Sequence, residues 1–275
     1  MAGRFRRQSH ADSRRRPIRH HSLRLPGLGR VTISHRPPPT APTPAADQGP
    51  AAALRNPRDR THWIIFSPGA LTRAKDYPEL LGALTAAGAA VLTLDYDWPK
   101  LFAGDAAELA KPMRAARRLE RGGLPARGLA EHGLPAPLPR RRGRKAPPLR
   151  ILGYSLGGWM LSAGFAEHRH GQPLELDLLG ASNLREPWQP PSRRRQRVRL
   201  LAGTEDGVID PKALEQLAAS FATDVEWLDG VSHFGLLADA VGAANFRARD
   251  RTTRLTRRQC AERIARQLLH APEPA

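Results

Sequence analysis

The chain has 275 residues, of which 40% are hydrophobic, so it is long enough to bury the core of one large domain or two small ones. No apolar run approaches the ~20 residues that span a membrane. The single cysteine, Cys260, excludes an internal disulfide, and no group of cysteines and histidines has the spacing of a zinc site. We therefore expect no metal and no organic cofactor.

The formal net charge of +18 is concentrated in two segments rich in proline and arginine. Residues 1–60 hold 13 Lys/Arg and 3 Asp/Glu, a net charge of +10, and residues 114–150 hold 11 and 2, a net charge of +9, which leaves −1 for the rest. These segments contain few aromatic residues to stack on bases and no nucleic-acid recognition motif. We expect incidental electrostatic affinity for nucleic acid or acidic surfaces, but no dedicated binding.

Residues 1–60 are predicted to form a disordered basic tail, because arginine runs and proline clusters interrupt any apolar period. Within this tail, residues 31–33 are a candidate short strand. The composition of the tail resembles a transit peptide, but a twin-arginine export signal is rejected because no apolar stretch follows the arginines. The expected location is therefore cytoplasmic, with a targeting peptide left open.

A domain over residues 61–270 is predicted to begin with a strand, a helix and a second strand. The apolar run 63–66 and the run 89–94 are typical of strands buried on both faces of a sheet. Between them, residues 76–87 have helical spacing and end at Gly88. This order predicts parallel pairing through a right-handed crossover.

Residues 105–120 predict another helix, and the Gly/Pro/Arg-rich segment 121–148 follows it. This segment is too polar, and too often interrupted by glycine and proline, to form an element of the core. A stretch of this length without secondary structure is unusual inside a compact domain. We interpret it as a surface insertion, with an exposed loop favoured over a flap near the site.

A Gly-Tyr-Ser-Leu-Gly sequence at 153–157 lies between a short apolar run and apolar residues with helical spacing. This context predicts a sharp strand-to-helix turn in which Ser155 has a strained backbone, and side chains at Gly153 or Gly157 would collide with neighbouring elements. The turn places the Ser155 hydroxyl at the head of a helix, where backbone N–H groups face developing negative charge.

The rest of the domain predicts three more strands and two helices. The strands cover residues 174–179, 198–202 and 225–228, and the helices cover 211–221 and 252–269. Cys260 falls near the apolar face of the last helix, where we interpret it as a core residue. His168 and His170 end the helix after Ser155, and there they are better suited to interact with its dipole than to bind metal.

Ser155, Asp206 and His233 each follow a predicted strand of one parallel sheet, at the edge where ligands bind in open α/β sheets. Their order along the chain is the Ser–Asp–His order of one group of hydrolases. Asp210 is a rival for Asp206, which could also simply stabilise its turn. His233 is the only histidine between the acid strand and the last helix.

Four short sequences resemble motifs of the α/β-hydrolase superfamily, and the resemblance covers about residues 62–270. They are Ser-Pro-Gly-Ala at 67–70, Gly-Tyr-Ser-Leu-Gly-Gly at 153–158, Gly-Thr-Glu-Asp-Gly at 203–207 and Val-Ser-His-Phe at 231–234. The chain is most similar to the compact group of dienelactone hydrolases and cutinase-like esterases, but it has Ser155 where dienelactone hydrolases have a cysteine. The resemblance implies an α/β fold with a mostly parallel central sheet, helices on both faces and little or no cap.

The chemistry assigns a role to each candidate. Ser155 is the nucleophile, His233 the base that takes its proton, and Asp206 the group that fixes the imidazole tautomer. One oxyanion donor is the backbone N–H of Leu156, next after the nucleophile. The resemblance implies that Ala70 supplies the other.

Aromatic residues near the same edge are candidates for a substrate pocket. Trp188 follows a strand at a place where similar esterases have an aromatic pocket wall, and plain packing is an equal alternative. Tyr154 and Trp98 are further candidates, and Trp98 shares with Tyr96 the same alternative of plain packing.

We predict a serine hydrolase that cleaves a carboxylic ester of a small molecule through an acyl-enzyme. A thioesterase, lactonase or peptidase would use the same three residues, so the sequence does not separate them. A non-catalytic binding protein with a hydrolase fold is a further alternative, since fold does not fix function, and a nucleic-acid binder acting through the basic segments is a third. The oligomeric state stays open.

Overall fold

The computed structural model describes residues 17–36, 62–120, 149–165, 174–181, 196–238 and 247–269. In these ranges no helix is long and apolar enough to cross a membrane. The insertion predicted at 121–148, the histidines 168 and 170, and Trp188 lie outside the described residues.

In the part of the chain that the structure describes, eight strands form one sheet in the order β1-β2-β4-β3-β5-β6-β7-β8. They are β1 (Arg19–Leu25), β2 (Gly29–His35), β3 (His62–Ser67), β4 (Ala89–Leu94), β5 (Leu149–Tyr154), β6 (Leu174–Leu179), β7 (Gln196–Gly203) and β8 (Val225–Leu228). Strands β3 to β8 pair in parallel, whereas β1 and β2 pair with each other, and β2 with β4, in antiparallel fashion. The carboxyl ends of six neighbouring strands therefore share one edge.

Within the described residues, seven α-helices connect or follow these strands. They are α1 (Pro78–Ala86), α2 (Trp98–Phe102), α3 (Ala106–Leu109), α4 (Lys111–Glu120), α5 (Leu156–Phe165), α6 (Pro211–Phe221) and α7 (Arg257–Leu269). Short 3-10 turns occupy Ala74–Asp76 and His233–Leu236.

Helices cover both faces of the sheet. Buried residues of α4, α5 and α6 join one hydrophobic cluster, and those of α1 and α7 join the other. Ile64 and Ile65 are consecutive in β3 and belong to different clusters, because successive strand side chains point to opposite faces. This doubly covered, mostly parallel sheet confirms the predicted α/β fold class.

The prediction of a disordered tail is wrong for residues 19–35, which form the β1–β2 hairpin and join the sheet through β4. Gly27 and Gly29 have φ of 72° and 70°, a left-handed conformation that glycine adopts without steric cost, and they make the tight connection between the two strands. Leu28 and Val31 are buried in the core. The candidate strand at residues 31–33 lies within β2, whereas β1 was not predicted. The glycine turn between the two strands was an available signal.

The helices differ from the prediction in three respects. The helix expected over 105–120 is divided into α3 and α4, and α2 was not predicted. The last helix begins at Arg257 because Thr256 caps it: Gln259 N donates to Thr256 Oγ1 (3.2 Å) and Thr256 N donates to Gln259 Oε1 (2.8 Å). Cys260 is buried in α7, as predicted for a core residue.

Candidate active site

Ser155, Asp206 and His233 meet at the carboxyl edge of the sheet. Ser155 follows β5, Asp206 follows β7 and His233 follows β8, and these strands lie side by side with β6 between β5 and β7. The placement is the one predicted for all three residues.

Ser155 occupies a strained turn between β5 and α5. Its φ is 52°, in the left-handed region that non-glycine residues seldom adopt. Its N–H donates to Leu179 O (2.9 Å), which ties the turn to the end of β6. A Cβ atom on Gly157 would lie 2.3 Å from Ser67 O, and one on Gly153 would lie 2.6 Å from Gly158 Cα, so only glycine fits at either position.

A line of hydrogen bonds joins the three side chains. His233 Nδ1 donates to Asp206 Oδ2 (2.8 Å), and Ser155 Oγ lies 3.1 Å from His233 Nε2. Because an ionised Asp206 only accepts, it holds the proton on Nδ1 and leaves the Nε2 lone pair facing the serine hydroxyl. Both Asp206 and His233 are buried, which shields the pair from solvent.

Asp206 is further held by its own loop. Its second carboxylate oxygen, Oδ1, accepts hydrogen bonds from Val208 N (2.9 Å) and Ile209 N (3.0 Å). The rival, Asp210, caps helix α6 and accepts from Lys212 N (3.0 Å). The structure therefore places Asp206, and not Asp210, against the histidine.

Gly180 lies against the Asp206–His233 pair. Its φ is 54°, and a Cβ atom there would lie 3.2 Å from Asp206 Oδ2 and 3.3 Å from His233 Nδ1. Its N–H donates to Leu201 O (2.8 Å), which fixes the end of β6 beside β7. No sequence motif pointed to this residue, although a glycine that follows a strand at the ligand edge is a usable signal.

The Ser-Pro-Gly turn after β3 is held by a buried tyrosine. Tyr77 OH accepts from Gly69 N (2.9 Å) and bonds Thr72 Oγ1 (2.7 Å), which in turn donates to Gly69 O (2.6 Å). Burial raises the pKa of Tyr77, so it stays a neutral donor and acceptor. This network fixes the loop that carries Ala70.

The two predicted oxyanion donors lie on elements in contact. Leu156 is the first residue of α5, so its N–H has no acceptor inside the helix. The next residue, Gly157, packs on the backbone of the turn that precedes Ala70. Beside Ala70, Leu71 has a left-handed φ of 60° and a side chain 68% exposed.

The predicted pocket role of Tyr154 needs correction. Its ring is 2% exposed and its centroid lies 5.2 Å from that of His233, while its hydroxyl donates to the backbone carbonyl of His233. Because the Tyr154 side chain is buried and in contact with His233, it supports the histidine and offers little surface to a substrate. Burial raises the pKa of Tyr154 well above its ordinary value.

Trp98 begins α2 and is 6% exposed, with its ring centroid 5.3 Å from that of Tyr96. Tyr96 OH hydrogen-bonds Ser67 Oγ (2.8 Å), so this pair packs behind the Ser-Pro-Gly turn. A substrate contact of Trp98 stays a prediction. Across the described ranges there is no group of three or more side chains placed to bind a metal ion.

Comparison with known proteins identifies the fold. No protein-family profile matches the sequence, and no curated protein matches it. A protein provisionally named a dienelactone hydrolase, from Klebsiella pneumoniae, has a similar structure with a TM-score of 0.50, 14% sequence identity and coverage of 92% of this chain and 97% of its own. The esterase domain of a Rhodothermus marinus protein has the same identity and coverage with a TM-score of 0.47. The chain has the α/β-hydrolase fold, as the sequence motifs predicted.

Proposed function

We propose that the protein is a serine hydrolase that cleaves a carboxylic ester through an acyl-enzyme intermediate. The observation that carries the proposal is the line of hydrogen bonds from Ser155 through His233 to Asp206, with the serine on a strained turn at the head of α5. A binding protein would not require a nucleophile, a base and an orienting acid in this arrangement. The α/β-hydrolase fold is compatible with this chemistry but does not by itself define it.

In the acylation step, Ser155 Oγ attacks the ester carbonyl carbon while His233 Nε2 takes the hydroxyl proton. The carbonyl π electrons move to its oxygen, and the backbone N–H groups of Leu156 and Ala70 stabilise the resulting oxyanion. When the intermediate collapses, the bond to the alkoxy oxygen breaks and the imidazolium returns the proton to it. An alcohol leaves, and the acyl group stays on Ser155.

In the deacylation step, water takes the place of the alcohol. His233 Nε2 removes a proton from the water as its oxygen attacks the acyl carbon, and the same N–H groups hold the second oxyanion. Collapse breaks the bond to Ser155 Oγ, which recovers its proton from the imidazolium. The products are a carboxylic acid and the free enzyme, and Asp206 keeps its charge throughout.

Partitioning of the acyl-enzyme tests the proposal. Two esters that share an acyl group but differ in their alcohol, such as p-nitrophenyl and phenyl acetate, are hydrolysed in the presence of added methanol. One common acyl-enzyme predicts the same ratio of methyl acetate to acetate from both esters. A ratio that depends on the leaving group, or hydrolysis that persists in Ser155→Ala, would contradict the mechanism. The rates at which thioester, lactone and amide substrates are hydrolysed then show which type of bond the enzyme cleaves fastest.

A further inference from the structure

One carboxylate outside the proposed triad binds the backbone of both loops that carry the Asp206–His233 pair. Asp250 Oδ1 accepts from His233 N (3.0 Å), and Asp250 Oδ2 accepts from Phe234 N (2.8 Å). Oδ1 also lies 3.2 Å from Gly207 N, the residue directly after Asp206. We infer that Asp250 is a positioning residue that sets the geometry of the Asp206–His233 pair; its effect on turnover rests on the proposed function.

The turn that carries His233 depends on this outside acceptor. Residues His233–Leu236 form a 3-10 turn whose N-cap, Ser232, makes no side-chain cap hydrogen bond. The first N–H groups of a helical turn have no acceptor within it. Asp250 supplies that acceptor from a segment 16 to 17 residues away, and its negative charge strengthens the bonds.

The loop of Asp206 packs directly on the same segment. A Cβ atom on Gly207 would lie 2.0 Å from the backbone oxygen of Arg249, so glycine alone allows this approach. Arg251 Nη1 adds a contact to Thr204 O (3.3 Å) at the beginning of the loop. Residues 249–251 therefore hold the loop of Asp206 on both sides of this residue, at Thr204 and at Gly207.

The histidine loop has a second attachment to this segment. The Arg247 guanidinium lies 5.6 Å from the centre of the Phe234 ring, and its Nη2 donates to Ala238 O (3.1 Å). Asp250 N donates to Arg247 O (3.2 Å), which closes residues 247–250 into a turn. The turn of residues 247–250, which carries Asp250, is thus itself bound to the loop of His233.

Asp250 acts on the alignment of groups and not on substrate binding. Its carboxylate bonds the backbone of His233, whereas the imidazole ring bonds Asp206 and Ser155. Without the carboxylate, the turn is free to shift and the distance from Nε2 to the serine hydroxyl changes. A displacement of about 1 Å between reacting groups can slow a reaction ~100-fold. The expected loss is therefore in kcat, with little change in KM.

The test compares Asp250→Asn and Asp250→Glu with the control Asp229→Asn. Asn keeps the shape of Asp but has one accepting oxygen and no charge. Asp229 is 91% exposed and pairs with Arg263 at the surface, so its substitution controls for the loss of one negative charge. Ester hydrolysis gives kcat and KM, and proton NMR follows the downfield resonance of the His233 Nδ1 proton.

We expect Asp250→Asn to lower kcat by roughly 10- to 100-fold with KM within about twofold, and to broaden or shift the Nδ1 proton resonance. Asp250→Glu should fall between this variant and the wild type, and Asp229→Asn should match the wild type. An unchanged kcat and an unchanged resonance in Asp250→Asn would overturn the inference. If Asp250→Asn does not fold, the His233 Nδ1 proton resonance of Asp250→Glu is the test. A shift of this resonance from its wild-type position supports the inference, and an unchanged position overturns it.

The NMR measurement separates this inference from the proposed function. If the wild type hydrolyses no ester, the proposed function fails, yet the Nδ1 resonance still reports whether Asp250 positions the Asp206–His233 pair. If the wild type is active and Asp250→Asn is indistinguishable from it by both measurements, the inference fails and the proposed function stands.

Discussion

The hydroxyl of Tyr154 donates a hydrogen bond to the backbone carbonyl of His233. The residue directly before the proposed nucleophile therefore holds the residue proposed to activate it. The two rings are also in contact, tilted by 34° with their centroids 5.2 Å apart. The end of β5 thus fixes both the serine and the loop that brings the histidine to it.

Tyr154→Phe tests this link. The ring is retained, but the buried carbonyl of His233 loses its donor, which typically lowers the free energy of unfolding by about 1–3 kcal/mol. We expect urea unfolding to show a loss in that range, together with a slower reaction of Ser155 with an active-site phosphonate. A variant as stable and as reactive as the wild type would contradict the role assigned to the hydroxyl.

Gly180→Ala should disrupt the Asp206–His233 pair. The new Cβ would contact Asp206 Oδ2 at 3.2 Å and His233 Nδ1 at 3.3 Å, in addition to the strain of a φ of 54°. Gly88→Ala is the matched control, because its φ is 90° but no atom lies within 4 Å of the new Cβ. Both variants should lose about 1–2 kcal/mol of stability from backbone strain. Only Gly180→Ala should also lose ester hydrolysis; equal activity in the two variants would contradict the account.

Leu71→Gly tests whether this exposed side chain, next to the proposed oxyanion donor Ala70, contacts the substrate. Leu71 is 68% exposed at a φ of 60°, so its side chain adds little to the core while its backbone is strained. Glycine removes that strain but gains freedom in the unfolded chain, and the two effects are each about 1 kcal/mol and opposed. We expect a thermal midpoint close to that of the wild type and a raised KM for apolar esters. A strong loss of stability would show that Leu71 has a packing role instead.

Alkaline titration should reveal all three tyrosines as buried. Burial raises the pKa of Tyr77, Tyr96 and Tyr154 above the ordinary value. Groups with a raised folded pKa contribute stability that is complete below the unfolded pKa of about 10 and is lost as the pH rises toward the folded value. Tyrosinate absorbance should therefore appear together with the loss of far-UV circular dichroism. Ionisation near pH 10 with an intact fold would contradict the described burial.

The sequence predicted strands β3 to β8 because most residues of these predicted segments are apolar. It pointed to the three triad candidates because each directly follows one of these strands. It did not predict β1, and of β2 it indicated only residues 31–33. It missed α2 because five residues carry little periodicity. The role of Asp250 could not be predicted from the sequence for a different reason. Its partners are backbone N–H groups as far as 43 residues away, and a backbone group leaves no mark on the sequence.

Labelling with a fluorophosphonate probe, followed by intact mass and peptide mapping, tests directly whether Ser155 is an activated nucleophile. An activated serine displaces fluoride and retains the phosphonyl group on Oγ, so we expect one adduct, located on Ser155. Labelling should be abolished in Ser155→Ala and strongly reduced in His233→Ala. It should be unchanged in the control Ser220→Ala, whose hydroxyl bonds Leu217 O within helix α6. A folded wild-type protein that takes up no probe, or one labelled equally in Ser155→Ala, would contradict the assignment of Ser155 as the nucleophile.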